Sequence, residues 1–149
     1  MKKLSDQHIV HVVDDDDNSR ASIIFLLGTL GLKCFEYRNG DNLLENVPGR
    51  AAGCILLDLF MPGQSGLHVQ AELMKRGVGW PILFMSGHAR TAEVVEAIRK
   101  GAVEFISKPF EEEELLAALH RGFAELNNIR PPAEQGMPAF ARGLSMQDL

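Results

Sequence analysis

The run Ile9-Val10-His11-Val12-Val13 ends abruptly in Asp14-Asp15-Asp16-Asp17. A β-branched apolar run with no polar alternation marks a strand covered on both faces, and the acids must lie where it leaves the core. Four more short apolar runs follow. They are Lys33 to Tyr37, Gly53 to Leu57 with Asp58 behind it, Pro81 to Met85 stopping at Ser86-Gly87, and Val103 to Ser107 running into Lys108-Pro109-Phe110. Helical spacing fills the intervals: Ile23, Ile24, Leu27 and Leu30 before Gly31; Asp41 to Asn46 before Pro48-Gly49; Leu67, Ala71 and Met74 before Gly77; Thr91 to Lys100 before Gly101. The last helix opens on Glu111 to Glu114, acids that suit a helix N-terminus, and carries the stripe Leu115, Leu119, Phe123 and Leu126. Asp17 or Asn18 is the expected cap of the first helix. This alternation predicts a doubly wound α/β fold, a five-stranded parallel sheet with five helices on its two faces.

One domain over residues 1–126 accounts for the pattern, and from Asn127 to Leu149 the Pro- and Gly-containing sequence has no apolar period and reads as a linker or C-terminal tail. A hydrophobic share of 46% with 23% charged residues is globular, and no run is long and apolar enough to span a bilayer. The first residues lack the apolar stretch of a signal peptide, so a cytoplasmic protein is expected. Cys34 and Cys54 then read as reduced thiols within apolar runs. A net charge of −5 argues against nucleic-acid binding by this segment.

In a doubly wound sheet the working groups lie beyond the carboxyl ends of the strands. Here those ends carry Asp14-Asp15, Asp58, Ser86 and Lys108. Carboxylates at two strand ends, with no His or Cys beside them in sequence, favour a hard, oxygen-seeking cation, and Mg2+ is the natural candidate. A nearby lysine offsets charge on an incoming phosphoryl group, and a serine adds a hydroxyl donor. An aspartate can attack phosphorus to form an acyl phosphate once cations neutralise the repulsion between the two anions. Each residue alone has a duller reading: the acid run as a solvated loop, Asp58 as a turn cap, Ser86-Gly87 as a turn, Lys108 as a rim lysine. Their placement on successive strand ends is what favours a site.

Two rival functions share the architecture. A Mg2+-dependent aspartyl phosphohydrolase generally needs a second carboxylate two residues past its nucleophile, where this chain has Phe60. A flavodoxin-like cofactor module wants a Gly- and Ser/Thr-rich phosphate loop after strand one, where four aspartates stand instead.

Four segments resemble, in order, the receiver domains of two-component response regulators, whose fold is the flavodoxin-like or CheY-like one. Val12-Val13-Asp14-Asp15-Asp16 resembles the family's acidic motif, and Leu56 to Gly66 its phosphoacceptor strand and loop. Phe84-Met85-Ser86-Gly87-His88 resembles its switch-hydroxyl segment, and Gly101 to Phe110 its lysine segment. The wording is closest to FixJ-like receivers. The resemblance implies Asp58 as phosphoacceptor and Asp14, Asp15, Asp58 and the Phe60 backbone carbonyl as Mg2+ ligands. It implies Lys108 and Ser86 as contacts to the phosphoryl oxygens, and Ser86 with Phe105 as the switch. Phe60 and His88 occupy positions that tune acyl-phosphate hydrolysis in that family. A sensor histidine kinase is the implied phosphodonor, and the chain is implied to be a switch rather than an enzyme. Its output is expected through a DNA-binding domain outside this chain or, for a stand-alone receiver, through protein contact. A phosphorylation-dependent homodimer through the face from Thr91 to Ser107 is also implied. His11 is expected to be hydrogen-bonded within the sheet rather than phosphorylated, and His68, His88 and His120 to lie at the surface or rim.

Overall fold

The computed structural model describes residues 4–87 and 91–127. Its elements are β1 (Ile9–Val13), α1 (Asp17–Thr29), β2 (Lys33–Tyr37), α2 (Gly40–Asn46), a 3-10 turn at Val47–Gly49, and β3 (Cys54–Asp58). A small hairpin of β4 (Phe60–Met61) and β5 (Gln64–Ser65) follows, then α3 (Gly66–Lys75), β6 (Ile82–Ser86), α4 (Thr91–Arg99), β7 (Glu104–Ser107) and α5 (Glu112–Asn127). The five long strands form one parallel sheet in the order β2-β1-β3-β6-β7, as the alternation predicts. The hairpin lies in a loop expected only to be non-helical. His88 and residues 128–149, where the linker or tail is expected, lie outside the described residues; Asn127 itself ends α5.

Strand side chains divide between two cores. Val10, Val12, Leu56 and Leu83 pack with Ile23 and Leu27 of α1 and Leu115, Leu119 and Phe123 of α5. Val13, Ile55, Leu57 and Phe84 pack with Leu43 of α2, Val69 and Leu73 of α3, and Ala97 of α4. Both faces of β3 and β6 are therefore covered, which is why those strands read as continuous apolar runs. Gly122 lets α5 lie against β3, since a Cβ there would meet the Cys54 Sγ at 2.7 Å. Cys54 is buried and Cys34 only half-buried; neither is paired, and burial pushes both thiols up, Cys34 to about 11.

The first helix is capped one residue earlier than expected. The Asp16 carboxylate, rather than Asp17 or Asn18, accepts the amides of Asn18 and Ser19 at 2.9 and 3.1 Å. The acid run is thus split, with Asp14 and Asp15 left at the strand end and Asp16 spent on the helix.

His11 is wholly buried, stacked between Phe35 and Trp80 with ring centroids 5.7 and 4.6 Å away. Its Nε2 faces the Ala51 carbonyl at 3.0 Å and its Nδ1 the Tyr37 hydroxyl at 2.9 Å. A carbonyl only accepts, so Nε2 carries the proton and Tyr37 donates to Nδ1. Both nitrogens are satisfied by the neutral ring, and desolvation lowers its pKa from 6.5 to about 4.

A histidine whose folded pKa is depressed stabilises the fold fully above its unfolded value, and that contribution drains away as pH falls through the folded value. The stability difference between wild type and His11→Gln, from urea midpoints, should therefore shrink between pH 6.5 and pH 4, by on the order of 3 kcal/mol. A difference independent of pH would count against the buried neutral ring.

Candidate functional site

The parallel register brings four strand ends to one edge. β1 and β3 are neighbours, so Asp14, one residue past Val13, stands beside Asp58 at the end of β3. Ser86 ends β6 and Lys108 follows β7, and the two are tied through the backbone, the Lys108 amide donating to the Ser86 carbonyl at 2.9 Å. Asp14, Asp58 and Ser86 are all buried polar residues.

Lys108 organises the cluster. Its Nζ donates to Asp14 Oδ2 at 2.8 Å and to Asp58 Oδ2 at 3.3 Å. Asp15, exposed at the rim, completes a group in which one oxygen from each of Asp14, Asp15 and Asp58 lies within 4.8 Å of the others. Burial alone would raise Asp14, but donors from Lys108, Ser19 and the Asp16 amide outweigh it and hold this carboxyl below its ordinary range. Asp58 goes the other way. Burial, with the Asp14 charge adding to it, raises its pKa to about 6 against the pull of Lys108 and the Phe60 amide. Burial would lower Lys108, yet its bonds to Asp14 and the field of Asp58 keep the ammonium above its usual value.

The loop after Asp58 is built to approach closely. The Phe60 amide donates to Asp58 Oδ1 at 3.1 Å, and Phe60 pairs with Ser65 across the hairpin. Gly66 starts α3 directly over the end of β3: a Cβ there would lie 2.6 Å from the Asp58 carbonyl and 2.9 Å from the Phe84 ring. Gln64 anchors the same loop to α2, its Oε1 accepting from the Gly40 amide at 2.9 Å and its Nε2 donating to Asp41 at 3.1 Å.

The sequence reading missed Ser19, Arg20 and Gln64. The Ser19 hydroxyl donates to Asp14 Oδ2 at 2.6 Å. Arg20 is buried, with Nη1 on the Asp14 carbonyl at 2.8 Å, Nε on Glu36 at 3.0 Å and Nη2 on Asp17 at 2.6 Å. Their signal was positional: both fall in the first turn of α1 once Asp16 is recognised as the cap. Phe105 is half-buried beside Phe84 on the neighbouring strand. His68 is exposed and His120 half-buried, consistent with rim positions.

The donor set suits a hard divalent cation. Three carboxylates converge with one ammonium to oppose them, and the exposed Asp15 leaves the cluster an open side. An acidic strand-end cluster bridged by a lysine, on a doubly wound sheet of this strand order, is the arrangement of a two-component receiver. Residues 10–120 match the response regulator receiver domain, and the chain belongs to that family, in its FixJ-like group.

It is 38% identical over 120 residues to the response regulator protein TodT of Pseudomonas putida, covering 80% of this chain and 53% of TodT. It is 37% identical over 133 residues to the transcriptional regulatory protein FixJ of Azorhizobium caulinodans, covering 89% of this chain and 60% of FixJ. The crystal structure of FixJ-N superimposes with a TM-score of 0.73 at 32% identity, covering 77% of this chain and 92% of that one. The chain spans little more than half the length of these curated relatives. No helix among the described residues is long and apolar enough to cross a membrane.

A carboxyl whose folded pKa is raised costs the fold stability that builds up as pH rises from the unfolded pKa and is complete above the folded one, because the unfolded chain ionises it first. Asp58→Asn, which keeps the shape without the charge, should therefore stabilise the metal-free protein at pH 7.5 by on the order of 2 kcal/mol. Urea denaturation with a chelator present checks this, and the gain should vanish near pH 4.

Proposed function

We propose that this receiver accepts a phosphoryl group on Asp58 from a phosphohistidine of a partner sensor kinase. The observation that carries the reading is the Lys108 ammonium shared between Asp14 and Asp58, with an Asp15 oxygen close to both. The Asp58 carboxylate oxygen attacks phosphorus; the new O–P bond forms as the P–N bond breaks, and the leaving imidazole takes its electron pair and then a proton from solvent. Asp14, Asp15, Asp58 and the Phe60 carbonyl would hold Mg2+, which would supply positive charge against the repulsion between a carboxylate and an anionic phosphoryl group. Lys108 moves its bonds from the two carboxylates to the phosphoryl oxygens, and Ser86 donates its hydroxyl to them. Drawing Ser86 inward vacates space that Phe105 fills, and the face from Thr91 to Ser107 changes shape.

The chain acts as a cytoplasmic switch, with acyl-phosphate hydrolysis as its only turnover. FixJ is a transcriptional regulatory protein, and the match covers 53% of TodT and 60% of FixJ, which supports control of transcription through a DNA-binding domain outside this chain. A homodimer through the Thr91 to Ser107 face is supported by Val95 and Ile98, apolar and half-exposed on α4.

Incubation with a small-molecule phosphodonor and Mg2+ should add one phosphoryl mass to the wild-type chain and none to Asp58→Asn. An equal mass gain in the variant overturns the assignment. Asp15→Asn should weaken Mg2+ binding by about tenfold or more, and an unchanged affinity by calorimetry would remove Asp15 from the ligand set.

A further inference from the structure

Asp14 is wholly buried, and each of its oxygens is bonded. Oδ1 accepts the Asp16 amide at 2.9 Å, Oδ2 accepts Lys108 Nζ at 2.8 Å and Ser19 Oγ at 2.6 Å, and the main-chain carbonyl accepts Arg20 Nη1 at 2.8 Å. Three of these four donors come from one place, the junction from Asp16 to Arg20. The Asp16 cap sets that junction by receiving the Asn18 and Ser19 amides, so that α1 begins with Ser19 turned back toward the end of β1.

The donors on the carboxylate differ in permanence. Lys108 is shared with Asp58, and in the proposed reaction it turns to the phosphoryl oxygens. Among the described residues, Asp14 Oδ2 then keeps a protein donor in Ser19 alone, while Oδ1 keeps the Asp16 amide. A hydroxyl is the appropriate chemistry for that duty. It fixes the carboxylate's rotation through a hydrogen bond to a charged acceptor, yet brings no formal charge to compete with a cation, as a lysine or arginine would.

We propose that Ser19 is a positioning residue of the divalent-cation site, its hydroxyl holding the Asp14 carboxylate in its ligating orientation independently of Lys108. This rests on the reading of Asp14 as a Mg2+ ligand. Ser19 itself touches neither cation nor phosphoryl group. It acts through Asp14, so its loss is read in metal affinity and not in the fold.

The test is Mg2+ affinity, measured by calorimetry on the whole chain, for wild type, Ser19→Ala, Ser19→Thr and Ser19→Val. Outer hydrogen-bond partners of metal ligands are worth about 10–100-fold in affinity, and here a loss of about tenfold is expected for Ala and Val. Thr, which restores the hydroxyl in the shape of Val, should bind within about threefold of wild type. Thermal midpoints of the metal-free Thr and Val proteins should agree, separating a positioning role from a structural one. Equal Mg2+ affinity in Thr and Val overturns the hydroxyl's role, even if both bind more weakly than wild type. Undiminished binding in Ala, with normal wild-type binding, overturns this inference alone. A wild-type chain that binds no Mg2+ overturns the reading of the site and the inference with it.

Discussion

One ammonium holds the functional edge together. Without Lys108, the carboxylates of Asp14 and Asp58 would face each other at the ends of adjacent central strands with only neutral donors between them. Two like charges about 5 Å apart repel by roughly 3 kcal/mol at an effective dielectric near 20. The two residues respond differently because their other donors differ. Asp14 has a hydroxyl and an amide besides the lysine and stays ionised, whereas Asp58 has one amide and is pushed toward the neutral form. One cation also leaves Asp14, Asp15 and Asp58 short of neutrality, and that residual negative charge is the electrostatic demand a divalent ion would meet.

The fold was legible in the sequence because the three central strands, β1, β3 and β6, are covered on both faces, so burial writes itself there as an uninterrupted run, and each run stops at a polar group. Asp14, Asp58, Ser86 and Lys108 were visible for that reason: they are where the runs stop. Ser19, Arg20 and Gln64 were not. Each is a polar residue in the first turn of a helix or in a loop, where polar residues are ordinary, and its meaning lies in a partner elsewhere in the chain. Gln64 meets the start of α2 and Arg20 meets Glu36 on β2, contacts that strand and helix periodicity do not encode. The misplaced cap has the same root. Asp14 to Asp17 are chemically alike, and only the position where the chain turns from extended to helical decides which of them serves the helix.

The hairpin after Asp58 shows how little of the loop is left to chance. Gln64 fastens one side to α2, the Phe60 amide holds Asp58 itself, and Gly66 permits α3 to begin in contact with the end of β3. A residue with a Cβ at position 66 would push the Asp58 carbonyl or the Phe84 ring away, so the geometry at Asp58 depends on glycine's missing side chain. That loop carries the Phe60 backbone, and its anchoring from two sides fixes the main chain beside Asp58.

The strand order separates what must stay fixed from what can move. β1 and β3, which end at the acidic cluster, each have a strand on both sides and a helix layer on both faces. β7 lies at the sheet edge, bonded only to β6, and its Phe105 is half-buried where Phe84, its partner across the register, is wholly so. On that side α4 is joined to α3 by the Gln70 amide on the Ala97 carbonyl, while the oxygen of the same amide has no hydrogen-bond partner among the described residues. Small rearrangements are least costly where elements have the fewest neighbours and where a buried polar group is incompletely satisfied. A rigid pair of central strands for the chemistry, with a lightly held edge for the report, is the division of labour that a phosphorylation switch requires, and here it follows from topology before any particular side chain is considered.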